Sequence, residues 1–556
     1  MKISDGRKFY LIILILFTLI FRIIAVQFVP IGGADAIQLW DAARRIFFDL
    51  PFIWEHRTIR FPALFVVAIF QKIFSPHPIV YFIIPVFFSI VQTVFLYKIS
   101  VKIKNEVFAF FTVILFQLFP EMIITNSHLR IAGFEVAFFL ISLYVFFKII
   151  DSSKPVYGLI SLLTIFLYLL LASKESNIFF MPAFFFGLLL LIKTDKIKQV
   201  TVFCCLFVFL FAAEFFIYRY AFGFELGRIG IITAKHLDGG LLIPVNNFMH
   251  LFSRYSKPNM SRYWFIAIML FIISGSFLLY KVKNIKLKFV IISGFLFIIF
   301  ITFGIKSINP ITTVLNFRER YFAVITPLII ITVLYFFIFT ASAVCGGNKC
   351  RRLNIFLMTN KLCLPVTTSL VVLIIFSAVY PRFYINKYYT KNGYSNISFV
   401  DYHPYRLSFR YYRDLNDAFY KGIPIITKSD FDWMGFKKTS DKILELKSEG
   451  LSIEEASSEL DIPVDFAETA VKKGKLRPAA ISLFKRFFLD YNMCEDKQML
   501  LSGKAKSLII HDVKYFYFKN AVYPYDEYFN SDDNFVMLIS YNPFYCVRIK
   551  IGDLKN

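Results

Sequence analysis

The sequence predicts an α-helical polytopic membrane protein of about eleven transmembrane helices, followed by a C-terminal soluble α+β domain. Three observations carry this reading. The chain is 57% hydrophobic with 71 Phe and has a mean hydropathy of +0.62, which exceeds what a globular core and surface absorb. Apolar runs of about 17–25 residues, the length a helix needs to cross ~30 Å of hydrocarbon, recur through the first two-thirds. Lys and Arg concentrate in alternate loops, the pattern that orients spans in a bilayer. The formal charge of +24 would point to nucleic acid in a soluble chain. Here it lies largely in short loops beside membrane lipids, so no nucleic-acid partner is expected.

Spans are expected at 9–29, 79–98, 106–124, 131–150, 156–173, 177–193, 199–219, 263–281, 288–305, 321–341 and 365–383. Lys2, Arg7 and Lys8 precede the first. Lys98/Lys102/Lys104, Lys148/Lys154, Lys193/Lys196/Lys198, Lys281/Lys283/Lys286/Lys288 and Lys349/Arg351/Arg352/Lys361 then fall on the same side, provided that 51–78 does not cross. This places the N-terminus in the cytoplasm and the C-terminal region outside. The first span is too long for a cleavable signal, and Val29-Pro30-Ile31 offers no small-residue cleavage site. Residues 1–383 thus form a transmembrane domain with a first external loop at 30–78, and 384–556 an exterior or periplasmic one.

The first loop holds the most specific chemistry. From Ala34 to Leu50 the residues Ile37, Trp40, Ala43, Phe47 and Leu50 form one helical stripe, opposite Asp35, Gln38, Asp41, Arg44, Arg45 and Asp49. Such a helix lies in the headgroup plane, with Trp at the interface. Phe61 to Phe74, bounded by Ser75-Pro76-His77-Pro78, is short for a span and suits a second interfacial helix. Asp35 follows Gly32-Gly33 and is placed to act either as a general base on a hydroxyl or as the N-cap of the following helix. Arg57 and Arg60 are permanent cations suited to a phosphate or diphosphate, and equally to any anionic headgroup.

Ionisable residues at membrane depth face a cavity or a partner. Glu121, His128, Arg130, Glu135, Lys174, Glu175, Glu214, Arg219, Arg318, Glu319 and Arg320 all fall at exterior ends of spans, as one shared polar chamber or as interface anchors. Arg320 begins a span and can reach downward, which makes it the best second ligand for a phosphate. The loop 220–262, with Arg228, is long enough to cover a site. Among the cysteines, Cys345 and Cys350 lack a second pair and read as reduced thiols, so no metal is expected. Cys494 and Cys546 can bridge only in an oxidising compartment.

The order of these features resembles the GT-C class of integral-membrane glycosyltransferases, in particular the protein O-mannosyltransferase and aminoarabinose transferase-like family. The resemblance rests on Asp35 in a Gly-containing loop after the first span and on the amphipathic helix with Ala42-Ala43-Arg44-Arg45. Arg60-Phe61-Pro62, the Ser173-Lys174-Glu175 elbow, and Arg320-Tyr321 with Pro327 complete it. It implies a GT-C-like fold, Asp35 as base, and donor phosphate bound by Arg57, Arg60 and Arg320. The sequence departs from the family where relatives carry two adjacent acids, since Asp35 is flanked by Ala34 and Ala36. Glu135 stands one turn deeper than the Asp that relatives often have at the fourth span.

The C-terminal region contains a decoy. Residues 443–473 have helix-turn-helix spacing, but the second helix would present Asp465, Glu468 and Thr469, poor readers of a DNA groove. Strands are expected around 507–511 and 535–539. The function these readings imply is transfer of a sugar from a polyprenyl-phosphate donor to a hydroxyl of a lipid, glycan or protein at the outer membrane face, without a cofactor. A glycolipid transporter would carry midplane charges and internal repeats. A non-catalytic scaffold would tolerate loss of Asp35, Arg60 and Arg320.

Overall fold

A computed structural model of the chain describes residues 3–26, 34–47, 59–74, 78–127, 129–228, 230, 262–303, 305–308, 311–313, 321–344, 425–427, 442–460, 464, 467, 509–511, 535–541 and 545–550. Two compact units are distinguished. The first comprises Met1–Val26, Ile46–Ile73 and Val80–Arg382, and the second Gln27–Arg45, Phe74–Ile79 and Phe383–Asn556.

The first unit is built on helices. In chain order they are α1 (Ile3–Val26), α3 (Phe61–Phe74), α4 (Pro78–Ile103), α5 (Glu106–Leu118), α6 (Pro120–Thr125), α7 (Ile131–Asp151) and α8 (Tyr157–Ser173). After a 3₁₀ turn at Glu175–Phe180 come α9 (Met181–Leu191), α10 (Lys196–Phe216) with a π turn at Ile217–Ala221, α11 (Arg262–Lys281), α12 (Ile285–Phe303) and α13 (Thr326–Val344). Among the described residues, seven helices are long and apolar enough to cross a membrane: those at 9–26, 80–103, 131–151, 196–221, 263–281, 285–303 and 323–341. Three further expected spans are shorter helices. The stretch at 106–124 breaks at Pro120, which has no N–H to continue α5. That at 156–173 is the 17-residue α8, and that at 177–193 opens with the 3₁₀ turn. The expected span 365–383 lies outside the described residues.

Helix ends sort into two groups. At one end Asp151 of α7 pairs with Lys102 of α4 at 2.5 Å and with Lys286 of α12 at 2.6 Å. Asn284 there donates to the Ile103 carbonyl and accepts from the Leu287 N–H, so one side chain caps α12 and holds the end of α4. Between the ends, Phe146, Phe184 and Phe289 pack as a cluster, with the Phe146 and Phe289 rings stacked 4.2 Å apart. A Cβ on Gly187 would come within 2.6 Å of Phe289 and 2.7 Å of Phe146, so glycine permits this close approach.

One buried cation escaped the reading of the sequence. Arg22 lies within the first apolar span, is fully buried, and bonds only neutral groups among the described residues. Its Nε donates to Ser89 and Gln117, one terminal nitrogen to the Gln117 side chain and carbonyl, and the other to the Ile123 carbonyl. The Gln117 and Ile123 carbonyls flank the break at Pro120. Arg22 therefore fastens α1 to an interrupted helix whose broken ladder needs donors.

In the second unit, α2 (Ala34–Phe47, of which Ala34–Arg45 falls in this unit) corrects two expectations. The helix begins at Ala34, so Asp35 stands in its first turn and not in the Gly-Gly turn or at the cap. Trp40 is fully buried and Arg44 nearly so, alongside Ala36, Ala42 and Ala43. Burial on α2 thus extends beyond the apolar stripe to Arg44, which the stripe places on the exposed face. Later in the chain, residues 442–448 and the helix Ile453–Glu459 bury Ile443, Leu446 and Ala456 together with Ala467. Short strands pair at Ile425–Thr427 with Ile509–His511, in parallel, and at Phe535–Tyr541 with Tyr545–Lys550, antiparallel. Both expected strand regions contain one of these.

Candidate functional site

The end of the first unit opposite the Asp151 cluster gathers most of the buried charge. Arg60 is the residue before α3, and its carbonyl accepts from the Leu64 N–H, which fixes its backbone at the helix start. Its guanidinium lies 4.0 Å from the Glu175 carboxylate. One residue earlier in the chain, Lys174 reaches Glu135 at 3.5 Å and lies over the Tyr321 ring at 4.3 Å. Asn177 donates to Glu135 at 3.3 Å and to the Leu170 carbonyl at 3.0 Å. The elbow forms because α8 ends at Ser173 and the chain turns through extended backbone at Lys174 into the 3₁₀ turn. That geometry sends Lys174 and Glu175 to different partners.

A second buried pair stands beside the first. Arg228 Nε lies 3.0 Å from Glu214, and another Arg228 nitrogen donates to the Ala172 carbonyl at 2.7 Å. The Tyr168 hydroxyl donates to the other Glu214 oxygen at 2.9 Å. Tyr168 also packs its ring against Phe61, next to Arg60. Tyr218, in the π turn, donates to the Ile59 carbonyl at 3.1 Å. A third pair, Arg130 with Glu121 at 3.6 Å, occurs where α6 meets α7.

Hydrogen bonding is incomplete here, as it is at other buried places along the helices. Arg60 Nε, Glu135 Oε1, Glu175 Oε1, Ser176 Oγ and Asn177 Oδ1 are buried without a hydrogen-bond partner among the described residues. Each such atom costs about 1–3 kcal/mol if left unpaired. Buried polar atoms are mostly paired in folded proteins, and here five of them fall together beside the Arg60–Glu175 and Lys174–Glu135 pairs, a setting that can receive a polar ligand or water. Chemically, the arrangement offers a guanidinium with donors to spare, a lysine held on an aromatic face, and carboxylates in an apolar surround where charge interactions are strong. No group of three or more His, Cys, Asp or Glu able to hold a metal ion occurs among the described residues.

Of the residues singled out from sequence, the structure brings together Arg60 with Glu175 and Lys174 with Glu135. The helical backbone at Asp35 is described and its side chain is not; Arg57 and Arg320 lie outside the described residues. Sequence reasoning missed Tyr168, Asn177 and Tyr218, placed Glu214 only among the chamber candidates, quoted Tyr321 only beside Arg320, and named no role for Arg228. Neutral side chains in apolar helices give no signal until their partners are known. The acid and the arginine were visible as charges near membrane depth.

No family model matches the chain, and no curated protein matches it. Among solved structures the chain is similar to the oligosaccharyltransferase of Archaeoglobus fulgidus. The apo form matches at a TM-score of 0.37 and 12% identity, covering 67% of this chain and 55% of that one. The same archaeal enzyme, AglB, in complex with an inhibitory peptide and a dolichol-phosphate matches at a TM-score of 0.38 and 12% identity, with the same coverage. A form tethered to an acceptor peptide containing the NVT sequon matches at 0.36 and 13% identity. The chain spans about half the length of these solved chains.

Proposed function

We propose that the chain is a GT-C type glycosyltransferase that moves a sugar from a polyprenyl-phosphate donor to a hydroxyl of an envelope glycolipid, polysaccharide or protein. The observation that carries this reading is the group of five buried polar atoms of Arg60, Glu135, Glu175, Ser176 and Asn177, without hydrogen-bond partners among the described residues, at one end of an apolar bundle. A ligand reaching that place presents an anionic or hydroxyl-rich head and can keep an apolar tail among the helices. A lipid-linked sugar phosphate has both. The end carrying these residues is assigned to the outer face, because the Lys102, Lys148 and Lys286 end is the one that positive charge retains in the cytoplasm.

In the proposed reaction Arg60, with Arg57 and Arg320, holds the donor phosphate. Asp35 takes the proton from the acceptor hydroxyl, whose oxygen bonds to the anomeric carbon as the bond from that carbon to the phosphate oxygen breaks. Polyprenyl phosphate leaves, and the anomeric configuration inverts. Positive charge grows on the sugar ring while negative charge grows on the leaving phosphate, where fixed arginines stabilise it. A placed base contributes about 10²–10⁴-fold. Glu135, Lys174 and Glu175 line the chamber, and Lys174 is held ready by Glu135 and the Tyr321 face.

Arg60→Gln tests the phosphate assignment. Transfer from a polyprenyl-phosphate-sugar by the purified full-length protein is expected to show a KM for donor raised at least tenfold, with the thermal melting temperature unchanged. An unchanged KM would remove Arg60 from the donor site.

A further inference from the structure

The geometry points to Tyr218 as the residue that positions Arg60 for an anionic lipid head, an inference that rests on the proposed phosphate role of Arg60. Arg60 is pinned on its C-terminal side by the Leu64 N–H, which bonds its carbonyl at 3.2 Å. On the other side, the peptide between Ile59 and Arg60 is held by the Tyr218 hydroxyl, which donates to the Ile59 carbonyl at 3.1 Å across 159 positions of sequence. Donor and acceptor residues are both buried, so water does not replace this bond readily. The backbone under the arginine is therefore fixed from both directions.

The arginine head is not consumed in return. Its Nε has no hydrogen-bond partner among the described residues, and its ion pair with Glu175 is a 4.0 Å contact. A fixed base with an uncommitted guanidinium is the arrangement of a ligand arm, in which the ordering cost is met before the ligand arrives. A third observation concerns Tyr218 itself. It lies where α10 widens into the π turn Ile217–Ala221, a local irregularity that recurs at functional sites. One helical turn before it, Glu214 holds Tyr168, whose ring packs on Phe61. The end of α10 thus sets the start of α3 through two tyrosines, and Tyr218 is the one that touches the arginine's own peptide. Tyr218 takes no part in bond making; it acts through Arg60.

The test is a double-mutant cycle on the full-length protein in detergent, with farnesyl phosphate as the probe. Arg60→Gln is expected to weaken farnesyl phosphate binding strongly. Tyr218→Phe, which removes one hydroxyl, is expected to weaken it about 2- to 10-fold, the range of one buried hydrogen bond. In the Arg60→Gln background the same Tyr218→Phe change is expected to do nothing further, because its effect passes through the arginine. Incorporation of 4-aminophenylalanine at position 218 restores a donor and is expected to recover binding. If Tyr218→Phe does not give monodisperse protein, 4-methylphenylalanine at that position fills the hydroxyl's volume without donating and replaces it. If Arg60→Gln leaves binding unchanged, the phosphate role of Arg60 itself fails. If Arg60→Gln weakens binding while removal of the Tyr218 donor does not, or does so equally in both backgrounds, the positioning role is overturned and the phosphate role stands.

Discussion

Two arginines show what burial means for function at the scale of single residues. Arg22 spends its donors on Ser89, Gln117 and the Ile123 carbonyl, and so acts as a structural fastener at the break before Pro120. Among the described residues, Arg60 has no hydrogen-bond partner at Nε and meets one carboxylate at 4.0 Å. Arg22→Met takes a donor from the Gln117 and Ile123 carbonyls in an apolar surround, at about 1–3 kcal/mol for each group, while Gln117 Oε1 keeps the Ser89 hydroxyl. We expect a fall of several degrees in melting temperature in detergent, read by tryptophan fluorescence; an unchanged melt would show that these groups find other partners. Arg60, Glu135, Lys174 and Glu175 were legible in the sequence because a charge at membrane depth stands out against its neighbours. Tyr168, Asn177 and Tyr218 were not, since their roles depend on partners up to 159 positions away. Arg22 was visible as a charge inside an apolar run and was overlooked because the run still met the length for a span.

At the scale of elements, periodicity recovered the helices and misjudged how they are buried. The start and end of α3 at Phe61 and Phe74 were read from Arg60-Phe61-Pro62 and Ser75-Pro76. For α2 the same periodicity implied a surface helix, but Arg44 and Trp40 are both buried. A pattern of two faces does not reveal that burial extends to Arg44 on the polar one. Close approach is likewise invisible in sequence, and Gly187 illustrates it. Gly187→Ala places a methyl between two rings that already stack on each other, and overpacking of this kind costs about 1–3 kcal/mol. A lowered melting temperature with donor binding unchanged is the expected result, because the rings lie away from the Arg60 end. In the second unit, Ser452 and Glu455 form a capping box at the helix Ile453–Glu459. The hydrogen bonds from Ser452 hold the Glu455 carboxyl below its ordinary range. A depressed folded-state value means a contribution present above the ordinary carboxylate range and lost as pH falls through the lowered one. Amide exchange at Ala456–Leu460, corrected for intrinsic rate, should therefore accelerate on acidification. Glu455→Gln, which removes the titrating carboxyl, should abolish that pH dependence; an unaltered profile would exclude the box as its source.

Across the whole molecule, the alternation of lysine clusters anticipated a bundle with two chemically distinct ends. Lys102 and Lys286 converge on Asp151 at one end, while Arg60, Lys174, Glu175 and Arg228 occupy the other. Orientation in the membrane is open to direct measurement. In a cysteine-free background, Ser153→Cys is expected to resist a membrane-impermeant maleimide in intact cells, whereas Glu225→Cys should react. The reverse pattern would place the candidate site inside and remove the outer-face assignment. The central claim is transfer of a sugar. The most direct measurement is mass spectrometry of envelope glycolipids and glycoproteins from host cells making wild-type protein, Asp35→Asn, or none, with equal amounts of folded protein in the first two. One species that lacks a single sugar mass is expected in both the Asp35→Asn and the null cells. A change in the null cells alone would contradict Asp35 as the base, and identical profiles in all three would contradict the transferase reading.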